Sequence, residues 1–313
     1  MAKSLKDRND FQWGINIHNR GYKAYPERNL EDYIRLCAEL GSTTVRLNCN
    51  PHSEGDYVYL DKAVQLCADY KMDMMLVLDD MFTYKTEAEY EQYHAEIATH
   101  YKGKIKYYQV FNETDNYALF TENGIYVGGD GSQISQFYPK RLEELMPKVL
   151  GSIKGLRKGD SDAQLVINCA WWHIAILEYY MEHGAKWDII GIDWYSKEEE
   201  TKPIYGLFDH LLNKYPEYSL IICETNFWAN DLESVYTDHE QAEWNSEFAQ
   251  KVYRYPSDRV KGMIFYELMD EPTFEVSKGS YHGESHFGFI ECDLDGNILR
   301  KKQTYDNIKE LWK

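Results

Sequence analysis

The feature that most constrains this chain is a regular alternation of short apolar runs with longer amphipathic stretches. The apolar runs are rich in branched residues and lie at 11–18, 43–47, 72–78, 105–111, 165–169, 187–192, 220–223 and 260–266. The amphipathic stretches lie at 33–40, 60–70, 85–102, 140–153, 174–183, 203–214, 232–253 and 303–312. Strands that alternate with helices are typical of a parallel sheet covered by helices. The pattern therefore predicts an α/β fold.

Eight such units in 313 residues fit a closed (β/α)8 TIM barrel. No Pro/Gly/Ser-rich linker divides the chain, so residues 1–313 are expected to form one barrel domain. The rival is a doubly wound open sheet, whose nucleotide-binding form needs a glycine-rich turn after an early strand. Neither GxGxxG nor GxxxxGK[ST] occurs, and Gly14 lies within the first run. We therefore expect no nucleotide and no other cofactor.

Charge and hydropathy narrow the range of partners. The chain carries 52 acidic and 34 basic residues, a formal net charge of −18. Because nucleic acids and anionic membranes are bound through cationic side chains, neither is an expected partner. No run of about 18 apolar residues exists, so no membrane span is predicted. A neutral substrate is compatible with this charge, and the sequence makes no prediction about oligomeric state.

The cysteines and the first residues bear on location. The six cysteines form no CxxC pair, and most lie within apolar runs, which is typical of reduced core thiols. Residues 1–6 lack the apolar core of a signal peptide. Both features favour a cytoplasmic protein, although a secreted protein whose leader had been removed would look the same.

The strongest chemical signal is a pair of glutamates at the ends of apolar runs. Glu113 follows Asn112 at the end of the fourth run, and Glu224 ends the seventh. Barrel active sites lie at the carboxyl ends of the strands, so the two side chains can face each other across the mouth. One carboxyl acting as acid/base and a second as nucleophile is the requirement of a retaining glycosidase. The pair therefore predicts retaining hydrolysis of a β-linked carbohydrate.

On these residues the sequence resembles clan A of the glycoside hydrolases, the cellulase-like and xylosidase-like barrels with glutamates on strands four and seven. The resemblance covers nearly the whole chain in the order of its motifs, without identifying one family. It implies that Glu113 is the acid/base, that Glu224 is the nucleophile, and that the substrate is a carbohydrate.

The same resemblance implies roles for four further residues. Arg46 resembles the strand-two arginine that steadies the nucleophile, and Asn112 the asparagine that holds the 2-hydroxyl of the substrate. Tyr195 resembles the strand-six tyrosine that hydrogen-bonds the nucleophile. Tyr266 takes the strand-eight aromatic position, where Trp is usual, and Asp193 replaces a common strand-six histidine. Both departures bear on the sugar bound at the cleavage point.

Aromatic side chains near the strand ends are candidate sugar-stacking surfaces, and each of them can equally be rim packing. These candidates are Trp171, Trp172, Trp194 and Trp228. His18, at the end of the first run, is a candidate hydrogen-bond partner for a sugar. His282 and His286 lie in a glycine-containing loop without an HExxH pattern, so no metal site is predicted.

Two other functions stay open at this point. A non-catalytic carbohydrate-binding barrel would explain the aromatic content but has no need of the glutamate pair. A metal-dependent barrel hydrolase could use the strand-end residues Asp79, Asp80 and Asp193. Serine-hydrolase chemistry has no support because no GxSxG motif occurs.

Overall fold

The computed structural model describes residues 5, 8–122, 125–127, 129–228, 237–279 and 282–312. Eight strands alternate with eight long or medium-length helices. The strands are β1 Gln12–His18, β2 Thr44–Asn48, β3 Asp73–Leu78, β4 Tyr107–Val110, β5 Gln164–Ala170, β6 Ile189–Asp193, β7 Ser219–Glu224 and β8 Val260–Phe265. The helices are α1 Leu30–Leu40, α2 Glu54–Asp69, α3 Glu87–His100, α4 Pro139–Gly159, α5 Ala175–Glu182, α6 Ile204–Lys214, α7 Asp238–Tyr253 and α8 Gln303–Leu311.

The eight strands form a closed barrel in which each pairs in parallel with its neighbours in sequence, and β8 pairs with β1. This arrangement confirms the predicted (β/α)8 TIM barrel. Short elements decorate it. They are the helices Thr114–Ala118, Ser196–Thr201 and Thr273–Lys278, the 3-10 turns Glu27–Asn29, Ile134–Gln136 and Gly283–His286, and the hairpins Thr121–Glu122 with Ile125–Tyr126 and Ile290–Cys292 with Ile298–Lys301.

Successive side chains of each strand point alternately to the helices and to the barrel axis. The helix-facing set belongs to the large buried core, as Ile15, Leu47 and Leu76 do. The axis-facing set begins with an apolar layer that includes Met75 and Val166. Nearer the carboxyl ends this inner set becomes polar, and the layer consists of Asn16, Arg46, Gln109 and Asn168, all buried. A polar layer inside the barrel provides the hydrogen bonds that hold a site above it.

Two boundaries differ from the sequence pattern for local reasons. Helix α2 begins at Glu54 rather than near 60, because Ser53 and Asp56 form a capping box that satisfies its first N–H groups. Strand β4 ends at Val110, one residue before the apolar run ends, because Phe111 has a φ of 59°. The amino-terminal part of the predicted helix 232–253 lies partly outside the described residues.

Two further properties follow from the described residues. None of the helices they form is long and apolar enough to cross a membrane. All six cysteines are buried free thiols, which agrees with their prediction as core residues.

Candidate active site

A cavity of about 520 Å³ opens at the carboxyl ends of the barrel strands. Its lining is rich in carboxyl, amide and aromatic groups. The lining residues are His18, Tyr22, Asn48, Asp79, Asn112, Glu113, Asn116, Ala170, Trp171, His173, Asp193, Tyr195, Lys197, Glu198, Glu224, Trp228, Tyr266, Glu284 and Phe287. Both glutamates that the sequence pairs therefore reach the same cavity.

Glu224 is held at both carboxylate oxygens. Arg46 Nη1 lies 2.8 Å from its Oε1, and the Tyr195 hydroxyl donates a 2.9 Å hydrogen bond to its Oε2. The pairing of β6 with β7 shifts here, so that Asp193 is opposite Glu224 and Cys223 is an extra residue. A bulge re-aims the side chain that follows it. It therefore directs Glu224 into the cavity with a fixed orientation.

Arg46 is wholly buried beneath this carboxylate, and each of its three guanidinium nitrogens has a hydrogen-bond partner. Its Nε donates to Gln109 Oε1 at 3.0 Å and its Nη1 to Asn16 Oδ1 at 2.9 Å. Its Nη2 donates to Asn112 Oδ1 at 2.9 Å. A buried charge is tolerated when it is paired and hydrogen-bonded in this way. The position of Arg46 agrees with the supporting role that the resemblance implies.

Glu113 sits at a strained point of the backbone just beyond β4. Its φ of 42° lies in the left-handed region, which costs a non-glycine residue free energy and is common at functional sites. Its N–H donates to Asn168 Oδ1 at 3.1 Å, and Asn116 Nδ2 donates to its Oε2 at 2.9 Å. Burial, followed by the charge of Glu224, raises the pKa of Glu113 well above its usual range.

The amide of Asn112 is fixed through its oxygen, and its nitrogen donates to no acceptor among the described residues. Its Oδ1 accepts hydrogen bonds from Arg46, from Gln109 Nε2 at 3.1 Å and from Asn168 Nδ2 at 2.9 Å. Three donors on one oxygen settle which amide atom is which. The Nδ2 group is therefore the part of Asn112 available to donate a hydrogen bond in the cavity.

A second polar wall joins the end of β1 to the residues after β8. His18 Nε2 lies 2.9 Å from the Tyr266 hydroxyl and 3.4 Å from Glu267 Oε2. Tyr25 donates a 2.6 Å hydrogen bond to Glu267 Oε2. Burial raises the pKa of Glu267 well above its ordinary value and that of Glu271 to about 7. Two buried carboxyl groups therefore lie behind the part of the lining that His18 and Tyr266 form.

This wall is the one place among the described residues where three side chains could hold a metal ion. The ligand atoms of His18, Glu267 and Glu271 lie within 4.8 Å of one another. Asp79 and Asp193 line the cavity, but Asp80 pairs with His94 of α3. The three aspartates considered from the sequence do not form such a group within the described ranges.

The four tryptophans divide into two pairs. Trp171 and Trp228 line the cavity, and Lys197 lies over the Trp228 ring at 3.6 Å from its centroid. Trp172 and Trp194 do not line it. Trp194 is fully buried and donates to Glu199 at 2.8 Å, because the residue after the axis-facing Asp193 must point to the helices. The expectation that Trp194 stacks on a sugar is therefore wrong.

Trp172 lies outside the cavity. Lys202 Nζ is 4.7 Å from the centroid of its ring, and the ring centroid of His210 is 6.1 Å away. Trp172 lines a separate cavity of about 350 Å³, together with Ser132 and Tyr179. The tight turn after β5, in which Trp171 has a φ of 45°, sends the two adjacent indoles to different places. The expectation of a sugar contact at Trp172 therefore has no support in this arrangement.

Several residues of the site were not among the sequence candidates. They are Tyr22, Asn116, Asn168, Glu267, Glu271, Glu284 and Phe287. A signal existed for one of them, since Asn168 is a polar residue inside an apolar strand run at an axis-facing position. No local signal marks Tyr22, Glu284 or Phe287, which reach the cavity from loops.

No family model matches this sequence, and no curated protein matches it either. Solved structures do resemble the fold. A β-glucosidase from Thermotoga maritima, in complex with a calystegine derivative, superposes with a TM-score of 0.72 at 11% identity, over 97% of this chain and 98% of that one. The virulence factor SghA from Agrobacterium tumefaciens gives a TM-score of 0.70 at 12% identity, over 97% of each chain.

A third similar structure is the AHE enzyme from Alicyclobacillus herbarius, with a TM-score of 0.71 at 12% identity over 99% of each chain. At these identities the likeness shows the fold, which each of the three structures shares over nearly its whole length. Because one barrel fold supports many chemistries, the activity has to be argued from the site.

Proposed function

We propose that this protein is a retaining glycoside hydrolase that cleaves β-linked oligo- or polysaccharides by double displacement. Glu224 is the nucleophile and Glu113 is the acid/base. The observation that carries the proposal is the unequal environment of these two glutamates in one cavity. Glu224 is held by a cation and a hydroxyl, whereas Glu113 is buried beside other carboxyl groups.

The first step uses this difference. Glu113 carries a proton because burial and the Glu224 charge raise its pKa, and it gives that proton to the glycosidic oxygen as the bond breaks. Glu224 attacks the anomeric carbon and forms a glycosyl-enzyme ester. Burial raises the pKa of Tyr195 well above its usual range, so its hydroxyl remains a donor that orients the nucleophile.

The second step reverses the role of Glu113. Once Glu224 is esterified its negative charge is gone, and the largest electrostatic cause of the raised pKa of Glu113 disappears with it. Glu113 can then take a proton from water, which attacks the anomeric carbon and releases Glu224. Two inversions at that carbon give net retention.

Other lining groups are placed to position the sugar. Asn112 Nδ2 is the donor available to a 2-hydroxyl, and hydrogen bonds there strengthen in the transition state. The Trp171 indole N–H has no partner among the described residues and can donate to a hydroxyl. His18 and Tyr266 present further polar atoms on the opposite wall. The fold shared with a β-glucosidase supports β-glucosides as the first substrates to try.

The test is hydrolysis of a panel of aryl β-glycosides and β-linked oligosaccharides by the wild type, Glu224→Gln and Glu113→Gln. Loss of the nucleophile should lower kcat by several orders of magnitude on every substrate. Loss of the acid should matter less for a dinitrophenyl leaving group, which needs no proton. Azide should rescue the Glu113→Gln variant on that substrate and give a β-glycosyl azide.

Glu96→Gln, on the exposed face of α3, is the matched control and should keep wild-type turnover. Saccharide binding without products would instead indicate a carbohydrate-binding barrel. Activity that a chelator removes and a divalent metal restores would indicate a metal-dependent hydrolase. Full activity of Glu224→Gln would contradict the proposed roles.

A further inference from the structure

A third carboxyl group lies between the two proposed catalytic glutamates. Asp193 ends β6 opposite Glu224 of β7, lines the cavity and is 1% exposed. Its Oδ2 accepts a 2.6 Å hydrogen bond from Asn168 Nδ2. Its Oδ1 is buried and meets no nitrogen or hydroxyl donor among the described residues. Glu113 lies within hydrogen-bonding distance of Asp193.

Asn168 fixes the geometry of this pair. Its Oδ1 accepts the Glu113 N–H, and its Nδ2 donates to both Asn112 Oδ1 and Asp193 Oδ2. Because Oδ2 of Asp193 is already an acceptor, the oxygen left to face Glu113 is Oδ1. Two carboxylates cannot hydrogen-bond each other, so contact between Asp193 and Glu113 requires a proton on one of them.

The surrounding charges favour a proton on Asp193. Glu224 is paired with Arg46, and Asp115 is paired with His173 at 2.5 Å. Burial, then the charges of Glu224 and Glu113, raise the pKa of Asp193 well above its ordinary value. The titratable and charged groups that face the pair are Glu224 and Cys223 of β7, Asp115 beyond β4, Arg46 of β2, Cys169 of β5 and Tyr195 beyond β6.

We propose that Asp193 is a positioning residue that remains a neutral carboxylic acid through the catalytic cycle and donates a hydrogen bond from Oδ1 to Glu113. This inference rests on the proposed function of Glu113. The proton given to the leaving group is the one on Glu113, and the proton on Asp193 does not move. When Glu113 becomes an anion, the hydrogen bond from Asp193 becomes charge-assisted and stabilises it. A neutral carboxylic acid used as a buried hydrogen-bond donor is established enzyme chemistry.

The test compares Asp193→Asn with Asp193→Ala in pH profiles of kcat/KM. An asparagine can accept from Asn168 through its oxygen and donate to Glu113 through its nitrogen. The kcat/KM of Asp193→Asn should therefore stay within about 5-fold of wild type, and the basic limb of its pH profile should be unchanged. Asp193→Ala loses the donor to a charged group and should lower kcat by about 10- to 100-fold. Thermal unfolding of both variants checks that they fold.

An ionised Asp193 gives the opposite result. Asp193→Asn would then remove a negative charge beside Glu113, and the basic limb would move about one pH unit or more towards acid. That shift would overturn the inference. Similar losses of activity in Asp193→Asn and Asp193→Ala would also overturn the inference, because it requires the asparagine NH2 group to replace the donor of Asp193.

A measurement without turnover separates this inference from the proposed function. The infrared difference spectrum of wild type minus Asp193→Asn at neutral pH should contain the carbonyl stretch of a protonated carboxylic acid. A carboxylate band in its place overturns the assignment of Asp193, whatever the enzyme hydrolyses. Wild type that hydrolyses no glycoside, or Glu113→Gln that remains fully active, contradicts the function and not the protonation of Asp193.

Discussion

The buried ion pair between Arg46 and Glu224 is the residue-scale feature on which the site most depends. Both side chains are almost completely buried, so neither charge is compensated by water if the other is removed. Breaking a buried pair leaves an uncompensated charge and costs about 3–5 kcal/mol. The same arginine also fixes Asn16, Gln109 and Asn112. The stability of the fold and the proposed catalysis therefore depend on the same side chain.

Replacing Arg46 by methionine should lower the free energy of unfolding by about 3–5 kcal/mol and reduce kcat strongly. Denaturant unfolding and steady-state kinetics measure the two effects. Arg35→Met is the matched control, since Arg35 pairs with Asp32 and Glu39 on the exposed face of α1 and should cost about 1 kcal/mol or less. Wild-type stability of Arg46→Met would contradict the buried pair.

Glu271 predicts a pH dependence of stability. Burial raises its pKa in the folded protein to about 7 from an ordinary 4.5, so the folded state binds its proton more tightly than the unfolded state. The contribution of Glu271 to stability is therefore present below about pH 4.5 and is lost as the pH rises through about 7. Between pH 5 and 8 the free energy of unfolding should decrease by up to roughly 3 kcal/mol more in the wild type than in Glu271→Gln.

Denaturant unfolding of wild type and Glu271→Gln across that pH range is the measurement. Glu96→Gln, on the outer face of α3, controls for the loss of a carboxyl group as such. If the free energy of unfolding had the same pH dependence in wild type and Glu271→Gln, Glu271 would not be buried as described.

The two glutamates that we propose as catalytic were predictable as single residues, whereas much of their surroundings was not. Glu113 and Glu224 stand out because each ends an apolar strand, and strand ends meet at one side of a barrel. The wall formed by His18, Glu267 and Glu271 joins the end of β1 to the loop after β8. That contact depends on barrel closure, and nothing local in either segment signals it.

Outside the barrel sheet, α3 and α4 pack against each other with their backbones close together. Three glycines of α4 face α3 at intervals of four residues, which places them on one side of the helix. A Cβ at Gly151 would lie 2.2 Å from Glu87 O, and a Cβ at Gly155 would lie 2.4 Å from Glu91 O. At Gly159 the nearest atom would be Ala98 Cβ, at 2.6 Å. Glycine is therefore required for this approach of the two backbones.

Gly155→Ala should destabilise the protein by about 1–3 kcal/mol through overpacking, despite the better helix propensity of alanine. Gly206→Ala in α6 is the matched control, since its Cβ would meet only Trp172 Cζ2 at 3.8 Å. The free energy of unfolding of that control should rise by up to about 1 kcal/mol, because alanine has a better helix propensity than glycine. Thermal or denaturant unfolding that ranks the two variants in the reverse order would contradict the packing.

The alternation of elements was predictable because hydrophobic periodicity is a local property. The direction in which individual side chains at the strand ends point was less predictable. Trp194 and Tyr195 are adjacent in sequence, yet Trp194 is buried towards the helices and Tyr195 reaches Glu224. Alternation along β6 accounts for these two directions, whereas hydrophobic periodicity does not reveal the register shift that places Glu224, rather than Cys223, opposite Asp193.

At the scale of the whole molecule, the negative charge extends into the site. The net charge is −18, and carboxyl groups outnumber cations in the cavity lining. Besides Glu113 and Asp193, which we propose to be protonated, the lining carboxyl residues are Asp79, Glu198, Glu224 and Glu284. Lys197 lines the cavity and Arg46 lies buried beneath it. The field of such a cleft repels anionic ligands and tolerates neutral ones.

This charge predicts discrimination against acidic sugars. For a matched pair of aryl β-glycosides that differ only in a C6 hydroxymethyl or carboxylate group, kcat/KM should be at least about 10-fold lower for the uronide. Added salt should reduce the difference in kcat/KM between the two substrates, because it screens charges. Steady-state kinetics at low and high ionic strength measures both effects. A uronide hydrolysed as well as its neutral counterpart at low salt would contradict this electrostatic account.

Double displacement requires a covalent intermediate on Glu224, and this intermediate can be trapped. The reagent is a 2-deoxy-2-fluoro β-glycoside of the sugar that the enzyme hydrolyses, with a dinitrophenyl leaving group. The fluorine slows both steps, whereas the leaving group speeds the first step only, so the ester accumulates. Intact-mass measurement followed by peptide mapping should show one fluoroglycosyl group per chain, attached to Glu224 and absent from Glu224→Gln. An enzyme that turns over its substrate yet carries no adduct, or carries it on another residue, would contradict the double-displacement mechanism.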